Sequence, residues 1–100
     1  MSRFADLIDR QVDLFEREDA KFLASVEKAE RAYDRADREE AEEVFGRFQE
    51  LVEHGTEALA AMRDAYAATL DEDDADEYLA EFNAAIHRRL PRFALEIDEL

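Results

Sequence analysis

Two histidines and several glutamates are the side chains of this 100-residue chain that could bind a metal ion. Glu50, His54 and Glu57 recur at the spacing that brings side chains to one face of a helix, and His87 could complete a zinc site from another helix. Di-iron bundles instead use Glu-x-x-His pairs, and neither histidine has a glutamate three residues before it. We therefore predict no metal, no cofactor and no catalytic residue. A helical metal-binding protein or enzyme is kept as an alternative.

The only basic cluster of the chain contains Arg88, Arg89 and Arg92. These arginines are a possible contact for an anion, because the guanidinium fork matches carboxylates and phosphates. Arg88 and Arg92 share a helix face, and interhelical ion pairs with Glu53 and Glu57 are the simpler use of them.

The net charge of −15 limits the partners that the chain can bind. Residues 37–77 contain fifteen acids and three bases, and so hold −12 of that charge. Such a surface repels phosphates and anionic lipids, so we predict binding to neither nucleic acid nor membrane. The chain has no cysteine, no apolar run long enough to span a membrane and no signal peptide at its start, so a cytoplasmic location is expected.

The acidity has two further interpretations. Solubility or adaptation to a salty cytoplasm is the simpler one, because high ionic strength screens self-repulsion. The other is mimicry of nucleic acid, in which carboxylates of the central segment occupy a basic DNA-binding partner. Arg47 and Arg63 interrupt the band that would be needed, which consists of Glu42, Glu43, Glu50, Glu53, Glu57 and Asp64.

The central stretch 38–70 predicts the helix around which the chain is organised. Its apolar residues recur in steps of three and four over about seven turns. The stripe comprises Phe45, Phe48, Val52, Gly55, Leu59, Met62, Tyr66 and Thr69. Further apolar residues beside it indicate a broad buried face, packed against more than one neighbour.

Two more helices are predicted, at about 2–35 and 74–100. Ser2 is a competent N-cap for the first, and Asp37 with Glu40 resembles a capping box for the second. Later members of the acidic segment 71–77 would cap the third. Short connections then predict a single all-α domain, an antiparallel up-down-up three-helix bundle whose third helix is kinked or broken near Pro91.

The predicted turns also set the register between helices. Residue numbers of facing positions should add up to about 74 between helices 1 and 2, and to about 144 between helices 2 and 3. Gly55 leaves a gap in the central stripe at a cost of about 1 kcal/mol in helix propensity. A close helix crossing or an aromatic ring such as Phe22 or Phe15 would fill that gap, and a small ligand cavity is the alternative.

The segment around Pro91 is the predicted partner-binding surface, formed by Leu90, Phe93, Leu95, Ile97 and Leu100. Leu95 points away from the others, so the tail is apolar on two sides and needs a second surface against it. We therefore predict a non-catalytic protein-protein interaction module that binds a protein partner or a second copy, as a homodimer. Leu95→Glu is expected to convert the oligomer into monomers.

Overall fold

The computed structural model describes residues 3–100, and it confirms the all-α class. Five α-helices lie in this range, not the three predicted, and residue 2, the predicted N-cap, lies outside it. The helices are α1 (Ala5–Glu18), α2 (Ala20–Arg35), α3 (Ala41–Ala67), α4 (Glu72–Arg89) and α5 (Ala94–Ile97), with a 3₁₀ turn at Pro91–Phe93 between the last two.

The first predicted helix is divided at Asp19. This residue follows Phe15 by four positions and precedes Phe22 by three, so it falls on the apolar stripe. A carboxylate on that stripe would lose its hydration, and the helix bends there (φ −107°, ψ 26°) with Asp19 exposed. The Asp19 N–H still donates to the carbonyl of Phe15, and its carbonyl accepts from Leu23, both at 2.9 Å. The junction is therefore a kink that loses little backbone hydrogen bonding.

The kink directs α1 onto α4, whereas the sequence predicted that it would pack along the central helix. The rings of Phe4 and Tyr78 meet edge to face at 5.5 Å, and the Tyr78 hydroxyl donates to Gln11 at 2.8 Å. The Phe4 N–H donates to the carboxylate of Glu81 at 3.1 Å. A carboxylate from α4 therefore satisfies a backbone donor at the start of α1.

The helices α2 and α3 form an antiparallel hairpin. Ring contacts join Phe22 to His54 at 5.3 Å and Tyr33 to Phe45 at 5.1 Å. The residue numbers of these facing positions add up to 76 and 78, so the predicted register of about 74 was displaced by two to four residues. The displacement arises because α3 begins at Ala41, three residues later than predicted.

Aspartates stabilise both turns that flank α3. The Asp37 carboxylate accepts from the backbone N–H groups of Glu39 and Glu40 at 3.0 Å, but the N-cap of α3 is Glu40, not Asp37 as the capping-box pattern predicted. The N-cap of α4 is Asp71, whose carboxylate accepts from the N–H of Asp74 at 2.9 Å. The cap is therefore the first acid of the segment 71–77, not one of its later members.

The chain turns back on itself after α4, at the predicted break. Pro91 cannot continue a helix and restricts the residue before it, and Leu90 accordingly leaves the helical region (φ −135°, ψ 61°). α4 runs antiparallel to α3, with the rings of Tyr66 and Tyr78 4.8 Å apart in the predicted register. The final segment then runs back along α3, with the Phe93 ring at Gly55 and the Ile97 carbonyl at Arg63.

These connections cover the two halves of α3 unequally. In its C-terminal half, Tyr66 contacts α4 and Arg63 bonds to both α4 and the final segment, whereas Phe45, in its N-terminal half, contacts Tyr33 of α2. We call residues 25–35 of α2 and 41–51 of α3 the arm. Within residues 3–100, the only ion pair from the arm to another helix or turn is Arg92 with Glu30. The molecule is accordingly elongated, 50 × 24 × 22 Å.

Candidate functional site

The predicted partner-binding residues divide between surface and core. Leu95 and Leu100 are 85% and 57% exposed, while Phe93 and Ile97 are 1% and 0% exposed. Leu90 is half-buried against the core. Only Leu95 and Leu100 therefore offer substantial apolar area to another molecule at this end of the chain.

Aromatic rings fill the gap left by Gly55. A Cβ added to this glycine would lie 2.5 Å from Cε1 of Phe93 and 3.0 Å from Cε2 of Phe22. Phe22 was one of the two rings predicted at this position, and Phe93 is the closer occupant. The alternative of a ligand cavity finds no space at Gly55.

The basic cluster makes ion pairs with helices other than those predicted. Arg89 binds Asp13 and Glu16 of α1 at 2.6 and 2.8 Å, and Arg92 binds Glu30 of α2 at 2.9 Å. The hydrogen bonds to Asp13 and to Glu30 raise the pKa values of Arg89 and Arg92, respectively.

The predicted partners of the cluster, Glu53 and Glu57, form no ion pair with an arginine of residues 3–100. Arg88 is exposed and likewise has no ion pair with a described residue. Two of the three candidate anion contacts are therefore already occupied by carboxylates of this chain.

The two histidines have separate surroundings. His54 packs its ring against Phe22, and His87 meets the Asp98 carboxylate at 2.8 Å through Nε2. Across residues 3–100, no group of three or more His, Cys, Asp or Glu side chains is arranged to hold a metal ion. The contact between His87 and Asp98 therefore links the C-terminal end of the chain to α4.

The acids considered for nucleic-acid mimicry are exposed, but bases accompany two of them. Arg47 lies 3.9 Å from Glu43, and the Arg63 Nε donates to Asp64 at 2.8 Å. The exposed set is Glu42, Glu43, Glu50, Glu53, Glu57 and Asp64.

Arg63 is buried, which the sequence reasoning missed. It is 3% exposed, and its Nη1 donates to the Asn83 side chain at 3.0 Å and to the Ile97 carbonyl at 3.2 Å. One guanidinium therefore joins α3, α4 and α5. A signal existed in the sequence, because Arg63 follows Leu59 by four residues and precedes Tyr66 by three, which places it on the apolar stripe.

Glu96 of α5 faces several other carboxylates. Its pKa is raised, first by partial burial and then by the charges of Glu53, Glu99 and Glu57. This cluster is acidic and contains no histidine, and nothing described near it identifies a ligand.

A groove runs along one side of the arm, between α2 and α3. Its volume is about 300 Å³. Small and basic residues line the α2 side, and larger apolar residues with one arginine line the α3 side. The lining residues are Ser25, Lys28, Ala29, Ala32, Val44, Arg47 and Leu51. The sequence reasoning did not identify this groove.

Within the described residues, no helix is both long enough and apolar enough to cross a membrane. No family model, no curated protein and no solved structure matches this chain.

Proposed function

We propose that this chain is a small acidic protein-protein interaction module that associates with itself as a homodimer and has no catalytic activity. The observation that carries the proposal is the arm, a two-helix hairpin whose groove is lined, among residues 3–100, by α2 and α3 alone. A hairpin buries one face of each helix, and a second hairpin laid against it would complete a four-helix bundle.

Exposed apolar side chains of the arm support this proposal. The rings of Tyr33 and Phe45 contact each other near its tip at a tilt of 52°, and the two residues are still 39% and 43% exposed. Val44 and Leu51 line the groove and are half-buried. Exposed apolar surface of this kind marks contacts between proteins.

Leu95 and Leu100 form a smaller apolar surface at the other end of the chain. Two leucines fall far short of the roughly 800 Å² per partner that stable interfaces bury. The arm is therefore the better candidate for self-association.

The mass in solution tests the proposal. Light scattering coupled to size exclusion should give about 23 kDa, twice the chain mass of 11.6 kDa, and dilution over a hundredfold range should shift the mass toward the monomer. A monomer at every concentration would overturn the proposed self-association.

A further inference from the structure

We infer that the second copy lies in the groove of the arm, with α2 of each chain facing α3 of the other and the two-fold axis parallel to these helices. This inference rests on the proposed self-association and adds which surface the two copies share, how they are oriented and which residues face each other. The charged rows, their heights along the helices and the shape of the groove support it.

Two rows of opposite charge run along α2 and α3, and Lys28 of the first row lines the groove. Each row extends beyond the arm by one member, at Lys21 and Glu57. Lys21, Lys28 and Arg35 are exposed and stand seven residues apart on α2. Glu43, Glu50 and Glu57 are exposed and stand seven residues apart on α3. Residues seven apart return to the same side of a helix, so each set forms a row.

The rows are level with each other in the folded chain. The number of each base and that of its level acid add up to 78: Lys21 with Glu57, Lys28 with Glu50, and Arg35 with Glu43. This value equals the register of 78 that the Tyr33–Phe45 ring contact defines, and it exceeds by two the register of 76 at the Phe22–His54 contact, near Lys21 and Glu57. Nevertheless, no ion pair joins the two rows within residues 3–100. Each of the six charged side chains therefore lies at about the same height as one of the opposite row, but has no ion pair with it.

A two-fold axis parallel to the helices would pair these rows between chains. It places α2 of one chain opposite α3 of the other at the same height, so the register within the chain is repeated between chains. Lys28 then faces the partner's Glu50, and Glu50 faces the partner's Lys28. Each of the three pairs occurs twice, because an isologous interface repeats every contact.

The other orientation is electrostatically unfavourable. A two-fold axis perpendicular to the helices would bring α2 against α2 and α3 against α3. α2 has four bases and three acids, whereas α3 has six acids and two bases. The two negatively charged α3 helices would repel each other, and this like-charge repulsion across the interface disfavours that arrangement. Arg47, the one base in the arm part of α3, stands between Glu43 and Glu50 and leaves that side negative.

The shape of the groove also suits a second copy. Its α2 side is recessed, because Ala29 and Ala32 have small side chains, whereas the larger side chains of Val44 and Leu51 protrude from its α3 side. An isologous contact must be complementary to itself. Rotation about an axis parallel to the helices places the protruding side of one chain on the recessed side of the other, as helix packing of ridges into grooves requires.

A charge-swap experiment tests the predicted pairing. Lys28→Glu alone and Glu50→Lys alone each create two like-charge contacts per dimer, and each should weaken the dimer at least tenfold in Kd. Mixing the two variants creates a heterodimer in which both contacts are again between opposite charges. The mixture should dimerise within about threefold of the wild-type Kd, which is the additivity expected when no other contact changes.

Matched controls separate this pairing from a general effect of charge. Arg10→Glu and Asp73→Lys reverse exposed charges away from the arm, and neither variant nor their mixture should change the dimer Kd by more than about twofold, as distant sites act independently. Circular dichroism should show unchanged helicity in all variants, since every position is exposed.

Three results would overturn the inference in different ways. A wild-type monomer removes both self-association and the groove interface. A dimer that Leu95→Glu dissociates, and that Lys28→Glu leaves intact, retains self-association and moves it to the tail. A mixture that stays as weak as its two components excludes the pairing of α2 with α3 between chains.

Discussion

At the scale of single residues, Gly55 and Phe93 depend on each other. Because Gly55 has no side chain, the Phe93 ring packs directly against α3 at this position, and Phe93 is buried as a result. Gly46 lies on the same helix, but an added Cβ there would have no neighbour within 4 Å. The chain therefore contains two helical glycines that differ in what surrounds them.

Alanine substitutions should affect the two glycines in opposite directions. Gly55→Ala gains up to about 1 kcal/mol of helix propensity, but overpacking against the enclosed Phe93 ring costs about 1–3 kcal/mol. We expect the free energy of unfolding to fall by up to about 2 kcal/mol for Gly55→Ala and to rise by up to about 1 kcal/mol for Gly46→Ala. Urea denaturation measures both, and equal stabilisation by the two variants would contradict the packing at Gly55.

Glu96 makes stability depend on pH in an unusual direction for a carboxylate. Its pKa is raised in the folded chain, so the folded state holds this proton more tightly than the unfolded state does. The contribution is therefore complete below the ordinary pKa of 4.5 and is lost as pH rises through the folded-state pKa.

Glu96→Gln should stabilise the protein at neutral pH, by less than about 1 kcal/mol because the site is partly exposed. The difference from wild type should vanish below about pH 4, where the carboxyl is neutral in both states. Thermal denaturation at a series of pH values measures the effect. A constant difference at all pH values would show that the variant acts through packing instead.

At the scale of elements, α5 depends on its contacts with the rest of the chain. It has four residues, too few to form a stable helix alone. Burial of Phe93 and Ile97, the contact between His87 and Asp98, and the hydrogen bond from Arg63 hold this segment in place.

Arg63→Met should release α5 as well as destabilise the protein. The variant leaves the Asn83 side chain and the Ile97 carbonyl without their donor, and each unsatisfied buried group costs about 1–3 kcal/mol. We expect a loss of about 2–4 kcal/mol in the free energy of unfolding, with the amides of Glu99 and Leu100 exchanging hydrogen fastest.

Arg10→Met is the matched control for this prediction. Arg10 lies on α1, away from the arm, and its side chain is exposed and has no ion pair with a described residue. Its removal should change stability by less than about 0.5 kcal/mol. Equal effects of the two substitutions would contradict the role of Arg63 as the joint between α3, α4 and α5.

At the scale of the whole molecule, the charge of −15 opposes the compact state. Ion pairs such as those of Arg89 and Arg92 offset part of this repulsion, but acids exceed bases by 28 to 13. Carboxylates therefore remain in excess after every base is paired, and their mutual repulsion is the larger electrostatic effect.

Salt should consequently stabilise this protein. Raising KCl from about 0.1 M to about 1 M shortens the Debye length from about 10 Å to about 3 Å, so we expect Tm at pH 7 to rise by several degrees. Near the isoelectric point of 4.4 the same change in salt should have little effect, because the net charge is then close to zero. A fall in Tm with KCl at pH 7 would mean that screening of the ion pairs dominates.

The sequence by itself determined the features that depend on neighbouring residues along the chain. Helical periodicity indicated the all-α class and the long central helix, Pro91 located the break before the final segment, and Gly55 indicated a ring in the gap. Each of these follows from local geometry, since a proline lacks an N–H and a glycine lacks a Cβ whatever the rest of the fold is.

Only the tertiary structure decided which surface covers each face. Periodicity states that residues share a side of a helix, but not which neighbour arrives there. The kink at Asp19 sends α1 to α4, and the reversal at Pro91 buries Phe93 and Ile97 while it leaves Leu95 exposed. Arg63 is buried because α3, α4 and α5 meet around it, and the groove of the arm is open because, among residues 3–100, neither α4 nor α5 lines it.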